Sequence, residues 1–151
     1  MSNETISIEE RGVVTCTRRI QFCAGHRVLG HEGKCAHPHG HNYVAFITAH
    51  AAQLDAVGRV IDFSVLKQSI GGWIDATWDH GFLFCQEDEE MGDIFLRSSW
   101  KHHALEINPT AENMARYLLE VVCPVQLEGT GIEVREVTLW ETENCFATVR
   151  L

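Results

Sequence analysis

Residues 15–24 read TCTRRIQFCA, and residues 42–51 read NYVAFITAHA. In the first stretch Ile20, Phe22 and Ala24 share one face, while Arg19 and Gln21 point the other way. In the second, Tyr43, Ala45, Ile47 and Ala49 share a side. A period of two is the mark of a half-buried strand. Two strands follow, the first ending near His26, joined by a loop rich in Gly, His and Pro.

Downstream the period changes. Asp62 is a fitting N-cap for the run FSVLKQSIGGWIDA, in which Phe63, Leu66, Ile70 and Ile74 recur at helical spacing. Gly71 and Gly72 weaken that helix and mark close packing or an irregularity. A second helix starts around Asn108, Pro109 and Thr110, with Met114, Leu118 and Val121 as its apolar stripe. The tail reads as a hairpin: residues 132–141 alternate, Thr142, Glu143 and Asn144 turn, and residues 145–151 return. Residues 86–92 (QEDEEMG) read as a solvated acidic loop.

The order strand, strand, helix, helix, strand, strand predicts an α+β fold, a four-stranded antiparallel sheet with two helices on one face. It is a single domain over residues 1–151, with residues 1–12 as a loose arm. Such a sheet has two free edges, which are often paired with another chain.

With 45% hydrophobic residues over 151 positions, the chain can bury a real core. No apolar run approaches the ~20 residues that span a bilayer. The polar, acidic start lacks the features of a signal peptide, so a cytoplasmic location is the expectation. A net charge of −9 argues against non-specific nucleic-acid binding. That charge is uneven. Residues 12–50 carry Arg18, Arg19, Arg27 and Lys34 against Glu32 alone, whereas residues 51–151 carry seven basic against seventeen acidic side chains. The histidine-rich part is therefore the part suited to an anionic small molecule. Six cysteines are spread too thinly for a disulfide framework. Five are expected as small buried hydrophobes, and Cys35 is the exception.

Cys35 opens the stretch CAHPHGH, residues 35–41. If this segment is extended, His39 and His41 point to the same side. If the first two strands pair antiparallel, His26 returns to their level. Three converging histidines with an open fourth position form the catalytic type of zinc site, although nickel, iron and copper also accept imidazole. Cys35 is either a fourth ligand, closing the site, or a thiolate free to act as base or nucleophile. Glu141 shares a face with Val137 and Leu139, and a carboxylate on an apolar face needs a partner.

Six segments in order resemble one family: residues 22–27 (FCAGHR), Cys35 through residues 39–43 (HGHNY), residues 58–63 (GRVIDF), Asp79-His80, residues 109–113 (PTAEN) and Glu141-Thr142. The family is the 6-pyruvoyltetrahydropterin synthase / 6-carboxytetrahydropterin synthase group. The three residues between Cys35 and His39 are similar to the bacterial 6-carboxytetrahydropterin synthases of queuosine biosynthesis. Glu87 through Asp93 matches none of its motifs.

The resemblance implies the tunnelling fold, with subunits joined into a trimeric barrel, two trimers usually stacked, and active sites between subunits. It implies Zn2+ on His26, His39 and His41. It implies Cys35 as catalytic base, with Asp79 and His80 as a pair supplied by a neighbouring subunit. Glu141 is expected to anchor a pterin ring, with Thr110 and Glu112 near that pocket. The implied substrate is 7,8-dihydroneopterin triphosphate, with Arg27 and Lys34 as candidates for its phosphates. The implied product is 6-carboxy-5,6,7,8-tetrahydropterin, formed with release of triphosphate and acetaldehyde. The pyruvoyl synthase reaction and a non-catalytic zinc-binding module are the alternatives.

Overall fold

A computed structural model describes residues 12–151; apart from Gly12, the expected N-terminal arm lies outside the described residues. The first strand read from alternation, β1 (Thr15–His26), ends at His26 as expected, and the second, β2 (His39–His50), begins three residues earlier than expected. They pair antiparallel over their whole length, with His26 opposite His39 and Gly25 opposite Gly40. The glycine pair permits this end of the sheet to close: a Cβ on Gly25 would lie 2.6 Å from the Phe82 ring, and one on Gly40 3.1 Å from the Ala24 carbonyl oxygen.

The first helix, α1, runs over residues 63–77. It is an α turn (Phe63–Leu66), a π turn (Lys67–Gly71) and a further α segment (Gly72–Thr77). Asp62 caps it, its carboxylate accepting from the Ser64 amide at 2.8 Å. The irregularity expected at the glycine pair is this π turn, where Gly71 packs on Ile20. Leu66, Ile70 and Ile74 are fully buried as expected, whereas Phe63, in the first turn, is half exposed.

Two further strands follow, β3 (Gly81–Cys85) and β4 (His102–Leu105), with helix α2 (Glu89–Arg97) between them. Helix α3 spans residues 111–126, again with a π turn (Leu118–Val122) between α segments. The chain ends in the expected hairpin, β5 (Glu133–Thr142) and β6 (Cys145–Arg150).

The four-stranded antiparallel sheet is thus corrected to a six-stranded mixed sheet, ordered β4-β3-β1-β2-β5-β6, in which β3 pairs parallel with both β1 and β4. The run GFLFC was passed over because a short apolar run has no period of its own. It is a strand buried on both sides. Two helices are likewise corrected to three among the described residues. The acidic stretch is not a solvated loop: Asp88 is 1% exposed and caps α2 by accepting from the Met91 amide. Glu89 and Glu90 sit in its first turn, where the helix dipole favours negative charge. Met91 and Phe95 face inward onto Phe82 and Phe84.

One sheet face carries the core. Ile20, Phe22, Ala24, Tyr43, Ala45, Ile47, Val137 and Leu139 pack against Leu66, Ile70 and Ile74 of α1 and Met114, Leu118 and Leu119 of α3. Val121 was expected in that stripe and is 46% exposed. The π turn inserts a residue into the helical repeat, so Leu119 and Val122 turn inward instead. No helix of the described residues is long and apolar enough to cross a membrane.

Candidate metal centre

The core face continues past the helices into a polar cluster. On β1 the series Ile20, Phe22, Ala24 ends in His26. On β2 the series running back through Ala45 and Tyr43 ends in His41 and His39. On β5 Val137 and Leu139 lead to Glu141. Strand alternation thus delivers three imidazoles and one carboxylate to one end of one face. Their ligand atoms all lie within 4.8 Å of one another.

Backbone carbonyls orient two of the rings. The Nδ1–H of His26 donates to the Pro109 carbonyl at 2.7 Å, and that of His39 to the His37 carbonyl at 2.6 Å. In a neutral ring this leaves Nε2 as a bare lone pair. The two Nε2 atoms nevertheless lie 3.1 Å apart. Two lone pairs at that distance repel. Glu141 adds a carboxylate oxygen 3.3 Å from Nε2 of His26 and 2.8 Å from that of His41. Nε2 of His41 is buried yet makes no well-aligned hydrogen bond.

The hydrogen bond from His26 is the main reason the Glu141 carboxyl lies below its ordinary range, with burial opposing. Burial pushes the His41 imidazole down, toward the neutral form that binds metals. A divalent cation relieves all four groups at once. Nitrogen ligands at tetrahedral zinc distances sit about 3.3 Å apart, and the His26–His39 pair stands at 3.1 Å. The residues present therefore fit a metal of the type expected, with Glu141, not Cys35, as the fourth donor within reach.

Tyr43 forms the floor. It is fully buried, its ring packs on His41 and Phe22, and its hydroxyl has no hydrogen-bond partner. Burial, then the nearby Glu141 and Cys35, raise its phenol far above the ordinary value.

The other expected site residues fall into three places. Cys35 is half-buried in a short 3-10 turn (Lys34–Ala36), near enough to Tyr43 to act on it electrostatically. Asp79 and His80 form the expected pair, with His80 Nδ1 donating to the Asp79 carboxylate at 2.7 Å. Burial raises the Asp79 carboxyl, but the Cys23 amide, His80 and the Lys101 charge outweigh it and hold the group low. His80 has φ +58°, the left-handed region, which costs a non-glycine residue roughly 1–2 kcal/mol. Thr110 is consumed as the α3 cap, accepting from the Asn113 amide at 3.2 Å. It follows Pro109, whose carbonyl holds His26, so this segment does border the cluster. Glu112 is exposed in the first turn of α3.

Two clefts meet at His41. One, of ≈ 790 Å³, is lined by Cys23, Asn42, His80, Phe82, Trp100 and Lys101 among others. The other, of ≈ 550 Å³, is bordered by Arg19, Gln21, Trp140, Glu141 and Thr142. Cys35 lines neither.

Two expectations need correction. Arg27 is not free to meet phosphate: its guanidinium forks onto Asp88 at 2.5 Å twice and reaches Glu90 at 3.0 Å. Of the five cysteines expected to be buried, only Cys85 and Cys123 are; Cys123's thiol is pushed up to about 12 by burial. Cys16 is partly buried and Cys145 exposed, while Cys23 is exposed with its thiol donating to the Asn42 side-chain oxygen Oδ1 at 3.0 Å. Reasoning from sequence missed Asp88, Lys101 and the metal-side position of Glu141. Only the last left a signal, its shared face with Val137 and Leu139.

An imidazole–carboxylate cluster at the open end of an α+β sheet defines a candidate metal centre, and comparison with known proteins gives its family. The model of the 6-pyruvoyl tetrahydropterin synthase family matches residues 15–151. The 6-carboxy-5,6,7,8-tetrahydropterin synthase of Rickettsia bellii is 42% identical over 138 residues, covering 91% of this chain and 100% of that protein. The protein of that name from Aquifex aeolicus is 29% identical over 149 residues, covering 83% and 91%. Among solved structures, Caenorhabditis elegans 6-pyruvoyl tetrahydropterin synthase superposes with a TM-score of 0.66 at 25% identity, covering 93% of this chain and 96% of that one. An uncharacterized Wolinella succinogenes protein shares the fold, with a TM-score of 0.76 at 23% identity over 91% and 98%. The chain belongs to the 6-pyruvoyl tetrahydropterin synthase family.

Proposed function

We propose that this chain is a zinc-dependent lyase that converts 7,8-dihydroneopterin triphosphate to 6-carboxy-5,6,7,8-tetrahydropterin, releasing triphosphate and acetaldehyde. The observation that carries the reading is the convergence of His26, His39, His41 and Glu141 within 4.8 Å, in a chain 42% identical to proteins of that name.

His26, His39 and His41 would hold the ion. When bound, zinc supplies Lewis acidity toward the hydroxyls of the substrate side chain. Cys35 as thiolate takes a proton from the side-chain carbon. His80 moves a proton at Nε2, since its Nδ1–H is committed to Asp79. Glu141, though within reach of the ion, is left to accept from the N–H edge of the pterin, and Thr110 and Glu112 border that pocket. The working unit is a homo-oligomer in which one chain's Asp79 and His80 serve another's Cys35. In support, Cys35 does not line the cleft that holds His80. The place of this step in queuosine formation and a cytoplasmic location belong to the same proposal.

The test is to incubate zinc-loaded protein with 7,8-dihydroneopterin triphosphate and identify the products by mass. The carboxy product with both triphosphate and acetaldehyde supports the reading. Triphosphate without acetaldehyde assigns the pyruvoyl reaction instead. Neither product refutes the substrate.

A further inference from the structure

His80 is presented in an unusual way. Its ring is 79% exposed, so packing does not aim it. Its backbone is left-handed at φ +58°. What aims the imidazole is the corner on which it sits and the single bond from Nδ1 to Asp79.

That corner is held from two sides. β1 holds it from one: the Cys23 amide donates to the Asp79 carboxylate at 2.9 Å, and the His80 amide donates to the Cys23 carbonyl at 2.7 Å. Lys101 holds it from the other. Its ammonium donates to the Asp75 carbonyl at 2.7 Å and to the Asp79 carbonyl at 2.5 Å. Asp75 lies in the last turn of α1, where carbonyls lack helical partners and positive charge is favoured. The Asp79 carbonyl belongs to the peptide that leads into His80, so Lys101 restrains the plane from which the left-handed residue departs. Its own carbonyl accepts from the Phe82 amide at 3.1 Å, binding the residues after the corner as well. The stem of Lys101 also lies 3.3 Å from where a Cβ on Gly81 would stand.

We propose that Lys101 is a positioning residue, a clamp that ties the end of α1 to the Asp79-His80 corner and so sets the direction of the His80 imidazole. Lys101 lines the same cleft as His80, and the clamp acts through His80. It rests on the catalytic role proposed above for His80.

The experiment compares Lys101→Met, which keeps the stem and removes the charge, with Lys101→Arg, which keeps charge and donors. Zinc content, kcat and KM are measured, and the His80 imidazole is followed by nitrogen-15 NMR. For Lys101→Met the expected result is unchanged zinc content, KM within about twofold, and kcat lower by about 10- to 100-fold, the scale of a misplacement near 1 Å. The His80 ring signals should shift toward those of a freely tumbling imidazole. Lys101→Arg should recover most of kcat and the native ring signals. Unchanged kcat with unchanged ring signals overturns the clamp, and so does a loss of zinc and fold with no separate change at His80. Should Lys101→Met fail to fold, Lys101→Gln is read in the same way. If the native protein turns over no substrate, the proposed function fails, but the ring signals still decide whether Lys101 positions His80.

Discussion

His26 and His39 meet through their Nε2 atoms at 3.1 Å, while the Nδ1 of each is tied to a backbone carbonyl, of Pro109 and His37 respectively. Neither ring can turn to relieve the contact without giving up its carbonyl. Substitution of His39 or His41 by Ala should therefore lower zinc affinity by more than the ~100-fold that loss of an outer partner costs. Competition with a chelator measures it. Retention of native affinity by either variant would remove that residue from the ligand set.

Cys35 sits in its own short turn, outside the four-residue cluster. Cys35→Ala should keep a full complement of zinc and lose at least ~100-fold in turnover, the scale of a general base. Zinc content by atomic absorption and steady-state rates are the two measurements. Loss of zinc would make Cys35 a ligand and end its assignment as base.

The Arg27–Asp88 pair joins the residue after His26 to the cap of α2. Burial raises the Asp88 carboxyl, but Arg27 and the Met91 amide together outweigh it and leave the group below its ordinary value. A group depressed in the folded state contributes stability above its unfolded pKa, about 3.9, and loses it as pH falls through the folded value. Asp88→Asn should cost about 3 kcal/mol at neutral pH, the scale of a broken buried pair. Its stability curve should also fall less steeply than the native one below pH ~4. Denaturant melts across that range test this, and parallel native and variant curves would count against it.

The π turn in α3 makes a prediction of its own. Leu119→Ala should cost about 3 kcal/mol, as a fully buried leucine. Val121→Ala should fall within about 0.5 kcal/mol of native, as a surface change. Equal losses would restore the regular helical phase.

The three-histidine cluster was legible because strand alternation is a rigid rule. With residues 15–24 and 42–51 read as strands, an extended run through Gly40 and antiparallel pairing bring His26, His39 and His41 to one face, while Glu141 could be placed only beside Val137 and Leu139. The rest was hidden for local reasons. GFLFC is too short and too apolar to show a period. Asp88 looks like one more surface acid because its partner Arg27 lies sixty-one residues earlier. Val121 obeys a helical repeat that the π turn breaks. Lys101 acts on carbonyls, which leave no trace in a side-chain pattern.

The central claim is that three histidines hold a zinc ion that turns this chain's substrate over. The most direct measurement strips the protein with a chelator, restores it with zinc, and follows triphosphate and acetaldehyde from 7,8-dihydroneopterin triphosphate. The account predicts both products in about equal amounts from native protein, neither after stripping, and recovery with one zinc per chain. Release of both at an undiminished rate from stripped protein, or of neither from zinc-loaded protein, would contradict it.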